Sequence, residues 1–176
     1  PRIINCTFSG HRVNNYGGGI YNRNCPAPVI EGCTFDGNYV PYYGGGGIYN
    51  HSSSPRITNC TFSSNTANNG GGMYNYLSSN PTVSNCTFKD NNAISGSGMR
   101  NEISSCPMVT NCIFWDGGTY EIANMDINSS IPVVSYCVVK NGTVTGNPII
   151  SGEYFTTDPM LGELAYNGGP TQTCAL

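Results

Sequence analysis

The sequence has ten carboxylates, and two of them fall in register. Asp90 follows Cys86 by four residues, and Asp116 follows Cys112 by the same interval. If both cysteines hold one place in a repeated unit, the two carboxylates face each other across neighbouring units. Carboxyl groups that close can share a proton, or divide the acid and base roles that cleavage of a glycosidic bond requires. Lys89 and Trp115 stand beside them, and an indole can stack on a sugar. Asp90 and Asp116 are therefore the catalytic candidates. The plain alternative is two splayed loop side chains, with Lys89 offsetting part of their repulsion. A uronate lyase would want several aspartates around calcium and a basic side chain. Asp36, Asp90, Asp116 and Arg100 are too scattered for that.

The register itself comes from repetition. Pro-x-[Ile/Val]-x-x-Cys occurs six times, beginning at Pro1, Pro28, Pro55, Pro81, Pro107 and Pro132. Its cysteines are Cys6, Cys33, Cys60, Cys86, Cys112 and Cys137, spaced by 25 to 27 residues. A seventh, weaker copy starts at Pro159, with Leu161 and Leu164 in the aliphatic and Cys places. A second block reads Gly-Ile-Tyr-Asn at 19–22 and 47–50, Gly-Met-Tyr-Asn at 72–75 and Gly-Met-Arg-Asn at 98–101. The Pro-to-Cys distance is constant, whereas the distance from Cys to the Ile or Met varies between 13 and 15. A rigid part is thus joined to a loop that tolerates insertion.

Each unit holds three short runs, G-I-Y-N, P-x-I-x and C-T-F, with apolar residues in alternation and Gly, Asn, Ser and Pro between them. Nothing keeps a helical period over ten residues. Three short runs per ~26 residues read as three strands per turn of a coil. Coils would stack about 4.8 Å apart and form three parallel sheets around a narrow core. The inward columns follow. One is Ile3, Ile30, Ile57, Val83, Val109 and Val134. The next is the Cys column, then Phe8, Phe35, Phe62, Phe88, Phe114 and Val139. The last is Ile20, Ile48, Met73 and Met99, with Met125 as its fifth candidate. The residue before each Cys (Asn5, Gly32, Asn59, Asn85, Asn111, Tyr136) reads as the bend between two strands, because Asn tolerates left-handed backbone. The amides of Asn5, Asn59, Asn85 and Asn111 would then bond one coil to the next as a ladder. A second Asn column, Asn38, Asn65 and Asn91, follows the Phe. The sequence is therefore read as all-β: about 6–7 coils of 25–27 residues over 1–164, and a tail over 165–176.

Composition narrows the function. Only 10% of residues are charged and the net charge is −3, so no basic footprint points to nucleic acid. No apolar run is long enough to span a bilayer. No C-x-x-C occurs and the only histidines are His11 and His51, so neither a metal nor a cofactor is expected.

At its repeats the chain resembles the right-handed parallel β-helix repeats of bacterial surface proteins, within the pectin-lyase-like superfamily. The pairing of GGGI, GGGM and GSGM blocks with Phe35-Asp36-Gly37-Asn38, Phe62-Ser63-Ser64-Asn65 and Phe88-Lys89-Asp90-Asn91 is similar to polymorphic outer-membrane protein repeats. The tail, Asp158-Pro159-Met160-Leu161-Gly162 through Asn167-Gly168-Gly169-Pro170-Thr171-Gln172-Thr173-Cys174-Ala175-Leu176, is similar to bacterial choice-of-anchor β-helix proteins. Those commonly carry His where Cys174 stands. The resemblance implies a single-stranded right-handed parallel β-helix and an extracellular or cell-surface protein. It brings no catalytic set.

Nine cysteines in an exported protein invite a disulfide reading. Stacked Cβ atoms one rung apart, roughly 4.8 Å, exceed the ~3.8 Å of a relaxed disulfide, so the column is read as buried thiols. Cys25 and Cys106 sit in loops of distant coils; with Cys174 they remain available for pairing between molecules. Tyr21, Tyr49 and Tyr74 should point outward, one per rung, and with Trp115 form the candidate binding surface for a glycan or cell-surface ligand; stacking that merely supports the sheet is the alternative. Thr7, Thr34, Thr61 and Thr87 form an outward hydroxyl column. The N-C-T sequons at Asn5, Asn59 and Asn85 are read as structural. Neither end offers an obvious cap, so a fragment of a longer surface protein or end-to-end self-association into a filament is expected. The functional expectation is a structural or adhesive surface protein, with a polysaccharide-active enzyme using Asp90 and Asp116 as the alternative.

Overall fold

A computed structural model describes residues 1–126 and 128–174. It is a parallel β-solenoid. On one face, seven strands stack in chain order: Arg2–Ile4, Val29–Glu31, Arg56–Thr58, Thr82–Ser84, Met108–Thr110, Val133–Val139 and Ile149–Phe155. The second face is Thr7–Ser9, Thr34–Asp36, Thr61–Ser63, Thr87–Lys89 and Ile113–Trp115, completed by the second halves of Val133–Val139 and Ile149–Phe155. The third is Ile20–Arg23, Ile48–His51, Met73–Tyr76, Met99–Glu102 and Ile122–Asn124. Every pairing among them is parallel, and the inward columns set like on like, as in Ile57↔Val83, Phe62↔Phe88 and Met73↔Met99.

Three strands per coil were expected, and three coils carry a fourth. Tyr39–Gly44, Thr66–Asn69 and Asn92–Ser95 pair in the segment between the second and third faces. The segment still absorbs length changes, because the register shifts between Ala67 and Asn69.

The core is the set of stacked columns. Phe35, Phe62, Phe88 and Phe114 are fully buried, with neighbouring centroids 4.4 to 4.8 Å apart and planes within 8°. Phe8 stacks on Phe35 at 5.1 Å but is only half-buried. Cys33, Cys60, Cys86, Cys112 and Cys137 are buried and unbridged, while Cys6 is exposed. Each buried thiol donates to the carbonyl two residues before it, at 3.2 to 3.3 Å. Burial pushes the Cys86 thiol up, which keeps it protonated.

Four expectations are corrected by the register. First, Ile122, not Met125, stands on Met99; Met125 is half-exposed. Second, the seventh rung starts at Pro148 with Ile149 on Val133, only 16 residues after Pro132; Pro159 starts no coil. Third, the solenoid ends at Phe155. The tail turns back, pairs Leu164–Ala165 antiparallel with Thr173–Cys174, and lies across the second face. There Thr171 Oγ1 donates to the Gly32 carbonyl at 2.9 Å, and Thr34 Oγ1 to that of Gln172 at 2.8 Å. Thr7, Thr34, Thr61 and Thr87 do stand in one outward column, but Thr34, under the tail, and Thr61 are buried. Ala175 and Leu176, which end the tail motif, lie outside the described residues.

Fourth, the asparagine ladder exists but at other residues. Asn5, Asn59, Asn85 and Asn111 are the bends, with φ between 52° and 54°, and Gly32 and Tyr136 share that conformation. The four Asn are exposed at the corner of the coil. The buried ladders run instead through Asn22, Asn50, Asn75, Asn101 and Asn124, at 2.8 to 2.9 Å, and through Asn38, Asn65 and Asn91, at 2.9 Å. In the second ladder each amide also accepts from the backbone N–H one coil before, of His11, Asn38 or Asn65, and donates to a Phe carbonyl. A buried amide needs all these partners.

Candidate functional site

Asp90 and Asp116 do not meet. In three coils a left-handed residue (Gly37, Ser64 or Asp90) separates the residue after Phe from the inward Asn. In the fifth coil that residue is missing, since Trp115 leads directly to Asp116. Asp116 therefore turns inward and takes the place of the next Asn. Its Oδ1 accepts from Asn91 Nδ2 at 2.9 Å and from the Asn91 N–H at 2.8 Å. Asp90 stays at the surface, 60% exposed, and pairs with Lys89 at 3.3 Å. A side chain with no exposure cannot reach a substrate, so the carboxylate pair is withdrawn as a catalytic site.

Asp116 has another partner, which the sequence reading missed. Its N–H donates to both oxygens of Glu121, at 3.1 Å each. Glu121 is buried because it occupies the glycine column of the GGGI blocks: Ile122 stands on Met99, so Glu121 stands on Gly98. A side chain in that column points into the core. At Gly72 a Cβ would lie 2.6 Å from Phe88 Cδ1. Beyond Glu121 the column carries the smaller Val139 instead of a phenyl ring. Placing Met125 in the Met99 column hid this; the signal was Glu-Ile at 121–122 where earlier coils have Gly-Ile or Gly-Met. Burial, then the Glu121 charge, pushes the Asp116 carboxyl well above the carboxylate range, and burial raises Glu121 too.

Outside this pair lies an open groove of about 410 Å³, lined by Lys89, Asp90, Trp115, Lys140, Asp158 and Met160 among others. The Lys140 ammonium sits 5.5 Å from the Trp115 ring centroid and donates to the Asp116 carbonyl at 2.9 Å. Lys89 also reaches Glu163 of the tail at 3.5 Å. Its two lysines are thus engaged by neighbours. Among the described residues, no three of His, Cys, Asp and Glu gather around a metal position.

The tyrosine face is a second candidate surface. Tyr21, Tyr49 and Tyr74 do lie in one column of the third face. The expected exposed row is corrected, however: Tyr49 and Tyr74 are 1% and 2% exposed, and only Tyr21 is open, at 42%. Residues of the segments that lead into this face cover the others. Tyr16 packs on Tyr21 at 5.3 Å and on Tyr49 at 5.0 Å, and Tyr43 contacts Tyr49 and Tyr74 at 6.1 and 6.0 Å. Arg100 follows Tyr74 in the column, lies 5.6 Å over its ring and binds Glu102, which also accepts from the Tyr74 hydroxyl. Burial pushes the Tyr49 and Tyr74 hydroxyls up, so both rings stay neutral. The buried rings form a fixed floor, and the exposed rings packed on it are Tyr16 and Tyr21. Tyr39 and Tyr42 are also exposed, on the fourth strand of the second coil.

Among the described residues no helix is long and apolar enough to cross a membrane. No curated protein and no solved structure matches the chain significantly. The model of the family described as "Right handed beta helix region" matches residues 1–106 and 42–157. With its stacked parallel strands and repeated columns, the chain belongs to the right-handed β-helix family.

Proposed function

We propose that this β-helix is a rigid structural and adhesive part of an extracellular or cell-surface protein, and that its tyrosine face binds a glycan-bearing surface. One observation carries the reading: a rim of exposed tyrosines stands on a floor of packed, buried ones. Rings already held in place lose little freedom when a ligand stacks on them, and each offers a hydroxyl for hydrogen bonding. The surface location rests on the resemblance of the repeats and tail to exported β-helix proteins. Free thiols are compatible with it, because stacked columns hold their sulfurs outside disulfide geometry.

The test is retention and turnover on a panel of neutral and acidic polysaccharides. Retention without turnover is expected, weakened by Tyr16→Ala and Tyr21→Ala and unchanged by Asp90→Asn. Turnover lost in Asp90→Asn would make the groove an active site and end the adhesive reading. Retention indifferent to both tyrosine changes would remove the tyrosine face from it.

A further inference from the structure

The fifth turn breaks the buried amide ladder with a carboxyl, and its geometry has a consequence beyond binding. Asp116 is completely buried, and its Oδ2 has no hydrogen-bond partner among the described residues, although Oδ1 accepts twice from Asn91. Glu121 lies against it and is 1% exposed. Both Glu121 oxygens accept from the Asp116 N–H, so the two acidic side chains are neighbours in a dry interior, where both cannot stay ionised. The ionisable groups facing them are Lys140 and Tyr154. Lys140 bonds the Asp116 carbonyl and lies near enough to Glu121 to favour its charge. Tyr154, from the seventh strand of the first face, has a buried unpaired hydroxyl and a pKa pushed up to about 12 by burial, so it is neutral. One lysine and two carboxyls leave room for one more positive charge, and a proton on Asp116 Oδ2 supplies it.

We propose that Asp116 and Glu121 hold one proton between them, and that this proton fastens the loop between them, so that the fifth turn loosens as pH rises. The loop is built to be held this way. Gly117 and Gly118 give it freedom, and it lies so close to the coil below that a Cβ on Gly118 would collide with Ser97 Oγ. The Asp116 N–H clamps Glu121, and Lys140 clamps the Asp116 carbonyl from above. Loss of the proton to solvent leaves two carboxylates facing one ammonium. Because the folded pair binds the proton more tightly than the unfolded chain does, its stabilisation is complete below the unfolded carboxyl pKa, about 4. It is lost as pH rises from there toward the folded value.

The experiment is urea stability of the whole chain between about pH 4 and 8, with hydrogen exchange at 117–121 and the infrared band of a protonated carboxyl. In the wild type the folding equilibrium constant should fall with rising pH, by up to about tenfold per unit for one proton. The carboxylic-acid band should persist at neutral pH. Asp116→Asn, which keeps the bond to Asn91, should flatten the slope, remove the band and protect 117–121. Glu121→Gln should flatten the slope as well, and it stands in if Asp116→Asn does not fold. A wild type with no such band, or a slope in Asp116→Asn equal to the wild type's, would overturn the proposal. So would calcium or magnesium stabilising the wild type and not Asp116→Asn, which would make the pair a cation site.

Discussion

Replacing Asn65 with alanine isolates what the buried amide ladder contributes. Its side chain makes four hydrogen bonds: it accepts from the Asn38 N–H at 3.1 Å and from Asn38 Nδ2 at 2.9 Å, and donates to the Phe35 carbonyl at 2.8 Å and to Asn91 Oδ1 at 2.9 Å. Two of its partners keep other contacts, since Asn38 Nδ2 still reaches Phe8 O and Asn91 Oδ1 still accepts from the backbone of residue 65. The Asn38 N–H loses its acceptor inside the coil. At about 1 kcal/mol net per buried hydrogen bond, with more for an orphaned donor, the change should cost about 4 kcal/mol. Because a solenoid's contacts are between neighbours, the loss should concentrate in the second to fourth coils. Urea unfolding gives its size, and hydrogen exchange at residues 38 and 66 gives its place. The control is Asn85→Gly at an exposed bend with φ 53°, where glycine keeps the left-handed backbone; it should cost less than about 1 kcal/mol. A cost below about 1 kcal/mol for Asn65→Ala, or equal costs for the two changes, would refute the assignment of the ladder to the buried column.

Three further outcomes can be measured. Phe88→Ala removes a ring stacked between Phe62 at 4.5 Å and Phe114 at 4.4 Å, and should cost about 3 to 5 kcal/mol by thermal or urea unfolding. Gly72→Ala drives a Cβ to 2.6 Å from Phe88 Cδ1 and 2.7 Å from the Gly98 carbonyl, so it should destabilise by about 1 to 3 kcal/mol despite its small size. Thr171→Val removes the tail's hydrogen bond to Gly32 and should speed proteolytic removal of the tail, leaving the coil resistant; digestion at the wild-type rate would show that this bond does not hold it.

The columns were legible wherever spacing was constant, and lost where one residue was added or dropped. Pro-x-Ile-x-x-Cys-x-Phe fixes two faces and their corner without any allowance for loops. The route from Phe to the third face varies in length, and there the reading failed twice. A missing left-handed residue sent Asp116 inward when Asp90 stayed out, and a shortened loop moved Ile122 into the place assigned to Met125. Ladder asparagines were misplaced for a different reason. Asn at a bend and Asn in a buried row look alike in a repeat, because both recur once per turn; only the neighbouring backbone separates them. The burial of Tyr49 and Tyr74 was hidden because alternation tells which way a ring leaves the strand, and says nothing of what the segment leading into the third face lays over it.

Met73 on Met99, Phe62 on Phe88 and Ile57 on Val83 keep one register between the third and fourth coils. Cutting out one complete unit there, or copying it, would again bring each column onto its own kind. Gene segments of this kind can therefore lengthen or shorten the rod by a fixed step without redesigning its interior. Length becomes a quantity that the molecule can count in whole units, as a yardstick counts its divisions.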